Sequence, residues 1–146
     1  FYKKVIYFQI ILWPPVHKYF NEIQEDIKLD YNILTSYDIN LKRNLKDFVF
    51  EVYASDDIDD WKIEKKLIGF EKYSAHVRVI EIEIPDPKFR KKTNNNDISQ
   101  TVESIKYNYR SKYSLLLEDY FHDIIMHIGD NFTHTREIGK VLNKYK

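Results

Sequence analysis

Hydrophobic and polar residues follow two periods along this chain, one typical of strands and one typical of helices. Runs rich in β-branched and aromatic residues predict four strands, at residues 5–13, 31–39, 76–85 and 123–128. Elsewhere, apolar residues recur every three or four positions, as on one face of a helix. This spacing predicts five helices, at residues 16–29, 44–54, 57–70, 97–121 and 135–145. In the third strand the apolar residues alternate with polar ones, and at Ile80 they change from one set of alternate positions to the other.

The alternation of strands and helices predicts an α/β fold. We expect a mostly parallel sheet of four to five strands with helices on both faces, a three-layer, Rossmann-like architecture. The first helical connection is long enough to join parallel neighbours, and residues 5–13, 76–84 and 123–128 are expected to be adjacent strands. Residues 1–146 have the length of a single domain, and the start at Phe1 leaves open a longer chain.

Composition excludes several classes of protein. With 23 Lys and Arg against 23 Asp and Glu, the net charge is zero, so no global field draws the chain to nucleic acid or to a membrane. The absence of cysteine excludes disulfides, thiolate zinc sites and cysteine nucleophiles, and it fits a cytoplasmic location. Only three glycines are present, which argues against glycine-rich phosphate loops. The apolar run at 5–13 is too short to span a bilayer.

The segments that follow the strands are the expected place for chemistry, because ligands of parallel sheets lie at the carboxyl ends of the strands. This rule selects residues 13–17, 85–97 and 127–134. We predict catalytic roles for His127, Asp130 and His134, with acid–base work at His127 because its ordinary pKa lies nearest neutrality. Asp130 is also the predicted metal ligand, and Mg²⁺ is the expected ion.

The alternative for the same segment is a turn in which Asp130 or Asn131 caps the last helix and His127 is simply buried. On either interpretation the variant Asp130→Asn is expected to fold normally, since Asn caps a helix about as well as Asp.

A second group of candidates would bind the substrate. These residues are Asn131, Arg90, Lys92, Lys106, Arg110 and His17. Lys106 and Arg110 are four residues apart and project from one helix face, where Arg could bind phosphate through two parallel hydrogen bonds. The alternative is an exposed, solvated helix face. The aspartates between residues 56 and 60 are interpreted as charges that favour a helix N-terminus, not as metal ligands.

Two local resemblances to known families stop short of a match. Gly129-Asp130 resembles the closing motif of haloacid-dehalogenase-type phosphatases, but His134 stands near the place of the second acid and the first strand carries no Asp-x-Asp nucleophile. His17 with the run 98–101 is similar to adenylyl- and cytidylyltransferases, but the Gly and second His of their His-x-Gly-His loop are absent. We assign the chain to neither family.

These patterns predict an α/β enzyme that acts on a phosphorylated or nucleotide-type substrate, by phosphoryl or nucleotidyl transfer or by hydrolysis. Its partner would be a small phosphorylated or nucleotide ligand; nucleic acid is less favoured, and no membrane contact is expected. The alternative is a non-catalytic interaction module of a larger protein, which scarce glycine and abundant tyrosine also fit. An open polar pocket would favour the enzyme, and a flat tyrosine-rich surface would favour the module.

Overall fold

The computed structural model describes residues 7–91, 97–118, 120 and 123–146. Their strands are β1 (Tyr7–Leu12), β2 (Asn32–Asn40), β3 (His76–Glu83), β4 (Phe89–Lys91), β5 (Asp97–Ser99) and β6 (Met126–Ile128). Their α-helices are α1 (Phe20–Asp30), α2 (Leu45–Val52), α3 (Asp60–Phe70), α4 (Gln100–Ser114) and α5 (Phe132–Tyr145), with 3₁₀ turns at Pro14–Tyr19 and Lys42–Asn44. Apart from β4 and β5, which were not predicted, the element types follow the predicted order.

The main sheet has four strands in the order β2-β3-β1-β6, and its strand directions overturn the predicted fold class. Strand β1 pairs antiparallel with both β3 and β6, and β2 pairs antiparallel with β3. The prediction of a mostly parallel, Rossmann-like sheet is therefore wrong. The three segments expected to be adjacent are adjacent, but each neighbour runs in the opposite direction.

The physical reason lies in the long connection from β1 through α1 to β2. Both strands are antiparallel to β3, so they run parallel to each other, as a helical crossover requires. They are not neighbours, because β3 is inserted between them. The connection length predicts relative direction but not adjacency. The result is the split βαβ arrangement of ferredoxin-like folds.

Both faces of the sheet are buried under helices. On one face Phe8, Ile10 and Leu12 of β1 pack in a core with α1 and α4. On the other face Ile11 and Trp13 pack in a second core with α2, α3 and α5. Strand β1 therefore presents apolar side chains to both faces of the sheet, which is the pattern of a central strand covered on both faces.

The change of phase in β3 has the same origin. Val77 and Val79 belong to the core shared with α2, α3 and α5. Ile80 and Ile82 belong to the core shared with α1 and α4. The two halves of the strand therefore contribute to different cores, and the apolar residues change face where one core takes over from the other.

The predicted loop 85–97 contains a small hairpin in its described part. Strands β4 and β5 pair antiparallel, with Arg90 opposite Ile98. The buried Ser99 hydroxyl then accepts a hydrogen bond from the Val102 amide (3.2 Å) and caps α4. Among the described residues no helix is long and apolar enough to cross a membrane; the cytoplasmic location stays a prediction.

Candidate functional site

A cleft of about 330 Å³ opens beside β6, the edge strand next to β1. Its walls come from both helical layers, because α4 packs on one face of the sheet and the segment from α2 to α3 packs on the other. Four described basic side chains line it: Lys62, Lys66, Lys106 and Arg110. Four aspartates and two histidines also line it: Asp56, Asp57, Asp123, Asp130, His127 and His134.

Two of the three predicted loop segments meet near this cleft. Strands β3 and β6 are both antiparallel to β1, so the segments that follow them emerge at the same end of the sheet. The Asn131 side chain donates a hydrogen bond to the Asp97 carbonyl at 2.9 Å. Just beyond the first segment, the Ser99 amide donates a hydrogen bond to the Asp130 carbonyl at 2.7 Å. The segment after β1 leaves from the opposite end of the sheet. His17 therefore lies outside the cleft and stacks on His76, with ring centroids 5.0 Å apart.

The connection from β6 to α5 holds His134 close to β6. A Cβ atom at Gly129 would lie 3.0 Å from the His134 Cβ and 3.1 Å from the Thr135 amide nitrogen, so a larger residue would push the helix away. The Asn131 side chain accepts a hydrogen bond from the His134 amide at 3.0 Å and so caps α5. Asn131, not Asp130, is the cap.

The Asn131 side chain makes a second structural contact, since its Nδ2 donates a hydrogen bond to the Asp97 carbonyl at 2.9 Å. We therefore expect Asn131→Ala to lower the free energy of unfolding by about 1 kcal/mol, the usual cost of a lost N-cap. Asn131→Asp keeps the capping oxygen and is expected to cost less. Urea unfolding followed by circular dichroism measures both. Equal losses in the two variants would contradict the capping role.

The basic side chains of α4 are held by carboxylates inside the cleft. The Lys106 Nζ lies 3.1 Å from Asp130 Oδ1, and these side chains are only 13% and 9% exposed. Arg110 forms an ion pair with Asp123. Burial lowers the pKa of Lys106, although Asp130 opposes that shift. The sequence-based alternative of an exposed, solvated side chain is therefore wrong for Lys106, whereas Arg110 is 32% exposed.

Lys66 of α3 is the third buried cation. It is 5% exposed, and its Nζ donates a hydrogen bond to the Asp123 carbonyl at 2.7 Å. Burial lowers the pKa of Lys66 to about 8. Asp123, which presents that carbonyl, has a φ of 50°, in the left-handed region that residues other than glycine rarely adopt. Such strain is held by surrounding contacts and is common at functional sites.

His127 lies on β6 at the floor of the cleft and is 3% exposed. The Tyr53 ring packs edge-on against it, with centroids 4.5 Å apart. Burial lowers the pKa of His127 well below its ordinary value, and the nearby positive charges of the cleft lower it further. The imidazole is therefore neutral at physiological pH and keeps a lone pair.

Asp56 faces both histidines of the cleft. Its Oδ1 lies 3.0 Å from His134 Nδ1, and its Oδ2 lies 3.7 Å from His127 Nε2. Asp56, Asp130 and His134 can each direct one ligand atom to a common point, since these three atoms lie within 4.8 Å of one another. The structure thus contains a grouping of Asp and His residues that could hold a metal ion.

Of the predicted site residues, the structure places five in the cleft: His127, Asp130, His134, Lys106 and Arg110. Arg90 lies elsewhere, paired with Glu103 through two short hydrogen bonds of 2.7 and 2.6 Å on the outer side of α4. Asn131 serves as a cap, and Lys92 lies outside the described residues.

Sequence reasoning missed Asp56, Lys66 and Tyr53. Asp56 was grouped with the following aspartates as charge at a helix N-terminus, and nothing local distinguishes it from Asp59 or Asp60. Lys66 carried a usable signal, because it shares the apolar face of α3 with Ile63 and Leu67 and a lysine there must have a buried partner.

Comparison with known proteins identifies the fold. No protein-family model matches the chain, and no curated protein matches it in sequence. Among solved structures, the nucleoside diphosphate kinase of Aquifex aeolicus aligns with a TM-score of 0.56, covering 94% of this chain and 94% of that chain at 13% identity. A Borrelia burgdorferi nucleoside-diphosphate kinase, described as a transition-state mimic with bound vanadate and ADP, aligns with a TM-score of 0.55. That alignment covers 94% of this chain and 86% of that chain at 9% identity.

The chain is therefore a ferredoxin-like α/β protein. More specifically, it has the fold of nucleoside diphosphate kinases. At this level of identity the likeness extends to the fold alone.

Proposed function

We propose that this protein transfers the phosphoryl group of a nucleotide and that His127 accepts the group. The observation that carries the proposal is the convergence of three cations on the cleft that contains His127: Lys66 and Lys106, which are largely buried, and Arg110, which is 32% exposed. The open polar cleft is also the feature expected of the enzyme rather than of the interaction module.

The cleft has the size and polarity that a phosphate chain needs. Its volume lies at the lower end of the range for small-molecule sites. The cleft can therefore hold the phosphate chain of a ligand while the rest of the ligand lies outside it. Arg110 is the cation best shaped for phosphate, since its planar guanidinium can donate two parallel hydrogen bonds. Lys66 and Lys106 add point charges from opposite helical layers. An incoming phosphate would compete with Asp123 and Asp130 for these donors.

The proposed reaction forms a bond between a nitrogen of the neutral His127 ring and the terminal phosphorus. The bond from that phosphorus to the bridging oxygen breaks, and the leaving nucleotide keeps the electron pair. Cations positioned around the transferred group stabilise the charge on its oxygens, which is the main contribution a protein makes to phosphoryl transfer. The phosphoryl group then passes from His127 to an acceptor phosphate. This assignment replaces the acid–base role expected from sequence.

The expected Mg²⁺ does not fit Asp56, Asp130 and His134 as a resident ion. Mg²⁺ prefers oxygen ligands in an octahedral arrangement, whereas this grouping contains an imidazole and offers only two carboxylates. Mg²⁺ stays a proposal only as an ion carried in by the phosphates of the substrate. No step above depends on it.

Phosphoryl labelling tests the proposal directly. Wild-type protein incubated with ATP labelled at the terminal phosphate is expected to acquire a protein-bound label that is lost in acid and kept in base, as for a phosphoramidate. His127→Gln should reduce the label at least 100-fold, because no acceptor nitrogen remains in the cleft floor. His17→Gln is the matched control, since His17 lies outside the cleft.

The unfolding transition of each variant is measured first, so that loss of label is interpreted only for folded protein. A folded His127→Gln variant that is labelled as strongly as wild type contradicts the proposal. Absence of label on folded wild-type protein with every nucleoside triphosphate also contradicts it.

A further inference from the structure

The grouping of Asp56, Asp130 and His134 lies on one side of the cleft, between the α2–α3 connection and the first turn of α5. Their nearest ligand atoms lie within 4.8 Å of one another. Ligand atoms bound to a single Zn²⁺ at about 2.0–2.2 Å lie roughly 3–4 Å apart. Small rotations of these side chains would therefore suffice to close them around one ion.

A second observation concerns the buried ring nitrogens that face this grouping. His134 Nδ1 lies 3.0 Å from Asp56 Oδ1, yet among the described residues it has no hydrogen-bond partner. His127 Nε2, 3.7 Å from Asp56 Oδ2, is likewise buried without a hydrogen bond. The two side chains are 9% and 4% exposed. Buried polar atoms without hydrogen bonds are rare, and coordination to a bound ion is one of their ordinary explanations.

From these two observations we infer that Asp56, Asp130 and His134 bind a divalent transition-metal ion, such as Zn²⁺. The donor set of one imidazole and two carboxylates selects this class of metal, because imidazole suits Zn²⁺ and its neighbours whereas all-oxygen sets suit Mg²⁺. The inference goes beyond the proposed phosphoryl transfer and does not depend on it.

Charge balance gives the ion a role. Four aspartates and four basic residues line the described part of the cleft, so their formal charges cancel. A phosphate chain entering this cleft would add two or more negative charges without compensation. A dication held by Asp56, Asp130 and His134 would supply the missing positive charge beside the Lys106 ammonium and so favour polyanionic ligands.

Metal titration in the absence of nucleotide tests the inference. The probes are Zn²⁺ and Mg²⁺ by calorimetry, and Co²⁺ by its visible absorption, which reports on the coordinating atoms. We expect one equivalent of Zn²⁺ to bind at least 100-fold more tightly than Mg²⁺, and Co²⁺ to develop the absorption of a low-coordinate nitrogen–oxygen site. His134→Gln and Asp56→Asn should each weaken Zn²⁺ binding at least tenfold.

The control variant is again His17→Gln, because among the described residues the stacked pair of His17 and His76 is a second place where two imidazoles lie close together. This variant should bind Zn²⁺ as wild type does. Loss of binding in His17→Gln, or unchanged affinity in folded Asp56→Asn and His134→Gln, overturns the inference. Failure of folded wild-type protein to prefer Zn²⁺ over Mg²⁺ overturns it as well, whatever the variants do.

Discussion

Replacing Asp130 with asparagine is expected to lower the free energy of unfolding by about 3–5 kcal/mol, the usual cost of removing one partner from a buried ion pair. Asp130 faces the Lys106 ammonium at 3.1 Å, and both side chains are largely buried. Without the carboxylate, Lys106 would be left charged in a poorly solvated place or forced to lose its proton. Urea unfolding in buffer with a metal chelator measures the effect.

The double variant Lys106→Met/Asp130→Asn is the matched control, because it removes the charge that the single change leaves without compensation. It should recover most of the lost stability, since a buried ion pair is often replaced by uncharged groups at little cost. A single variant as stable as wild type would show that water reaches the pair. The sequence-based expectation that Asp130→Asn folds normally rested on a capping role, which Asn131 performs instead.

Replacing Trp13 with alanine is expected to lower the free energy of unfolding by about 3–5 kcal/mol, as for other large aromatic residues removed from a core. Trp13 is fully buried, and its ring contacts Phe48, Tyr53 and Phe70 at centroid distances of 6.1, 6.2 and 5.2 Å. Urea unfolding measures the loss. The cavity would also remove support from Tyr53, whose ring packs against His127.

The chain offers a matched control in its other tryptophan. Trp61, in the first turn of α3, is 53% exposed, so Trp61→Ala should change stability by no more than about 0.5 kcal/mol. Similar losses in the two alanine variants would contradict the structural assignment of Trp13 to the core. Trp13→Phe should fall between wild type and Trp13→Ala, because the smaller ring keeps part of the contact.

For the candidate site, local sequence was informative where one element carries several functional groups. The segment from His127 to His134 was selected because it follows a predicted strand, under a rule for parallel sheets. The sheet is antiparallel, yet the structure puts both histidines and Asp130 of this segment in the cleft. Lys106 and Arg110 were paired from their spacing of four on one helix. Their burial was not predictable, because periodicity indicates a shared face and not what covers it.

The sequence by itself determined most elements of this protein; the short strands β4 and β5 are the exceptions. Apolar periodicity is a local property, so it is sufficient to locate the main strands and helices. It also indicates that the apolar residues of β3 change face at Ile80. Tertiary structure alone decided the strand order and direction, because hydrogen bonding between distant strands depends on which segment enters the gap between β1 and β2. It also decided that Asp56 faces His134 and His127, residues more than 70 positions away. Local sequence patterns cannot predict such a contact, because it depends on how the two helical layers pack around the edge strand β6.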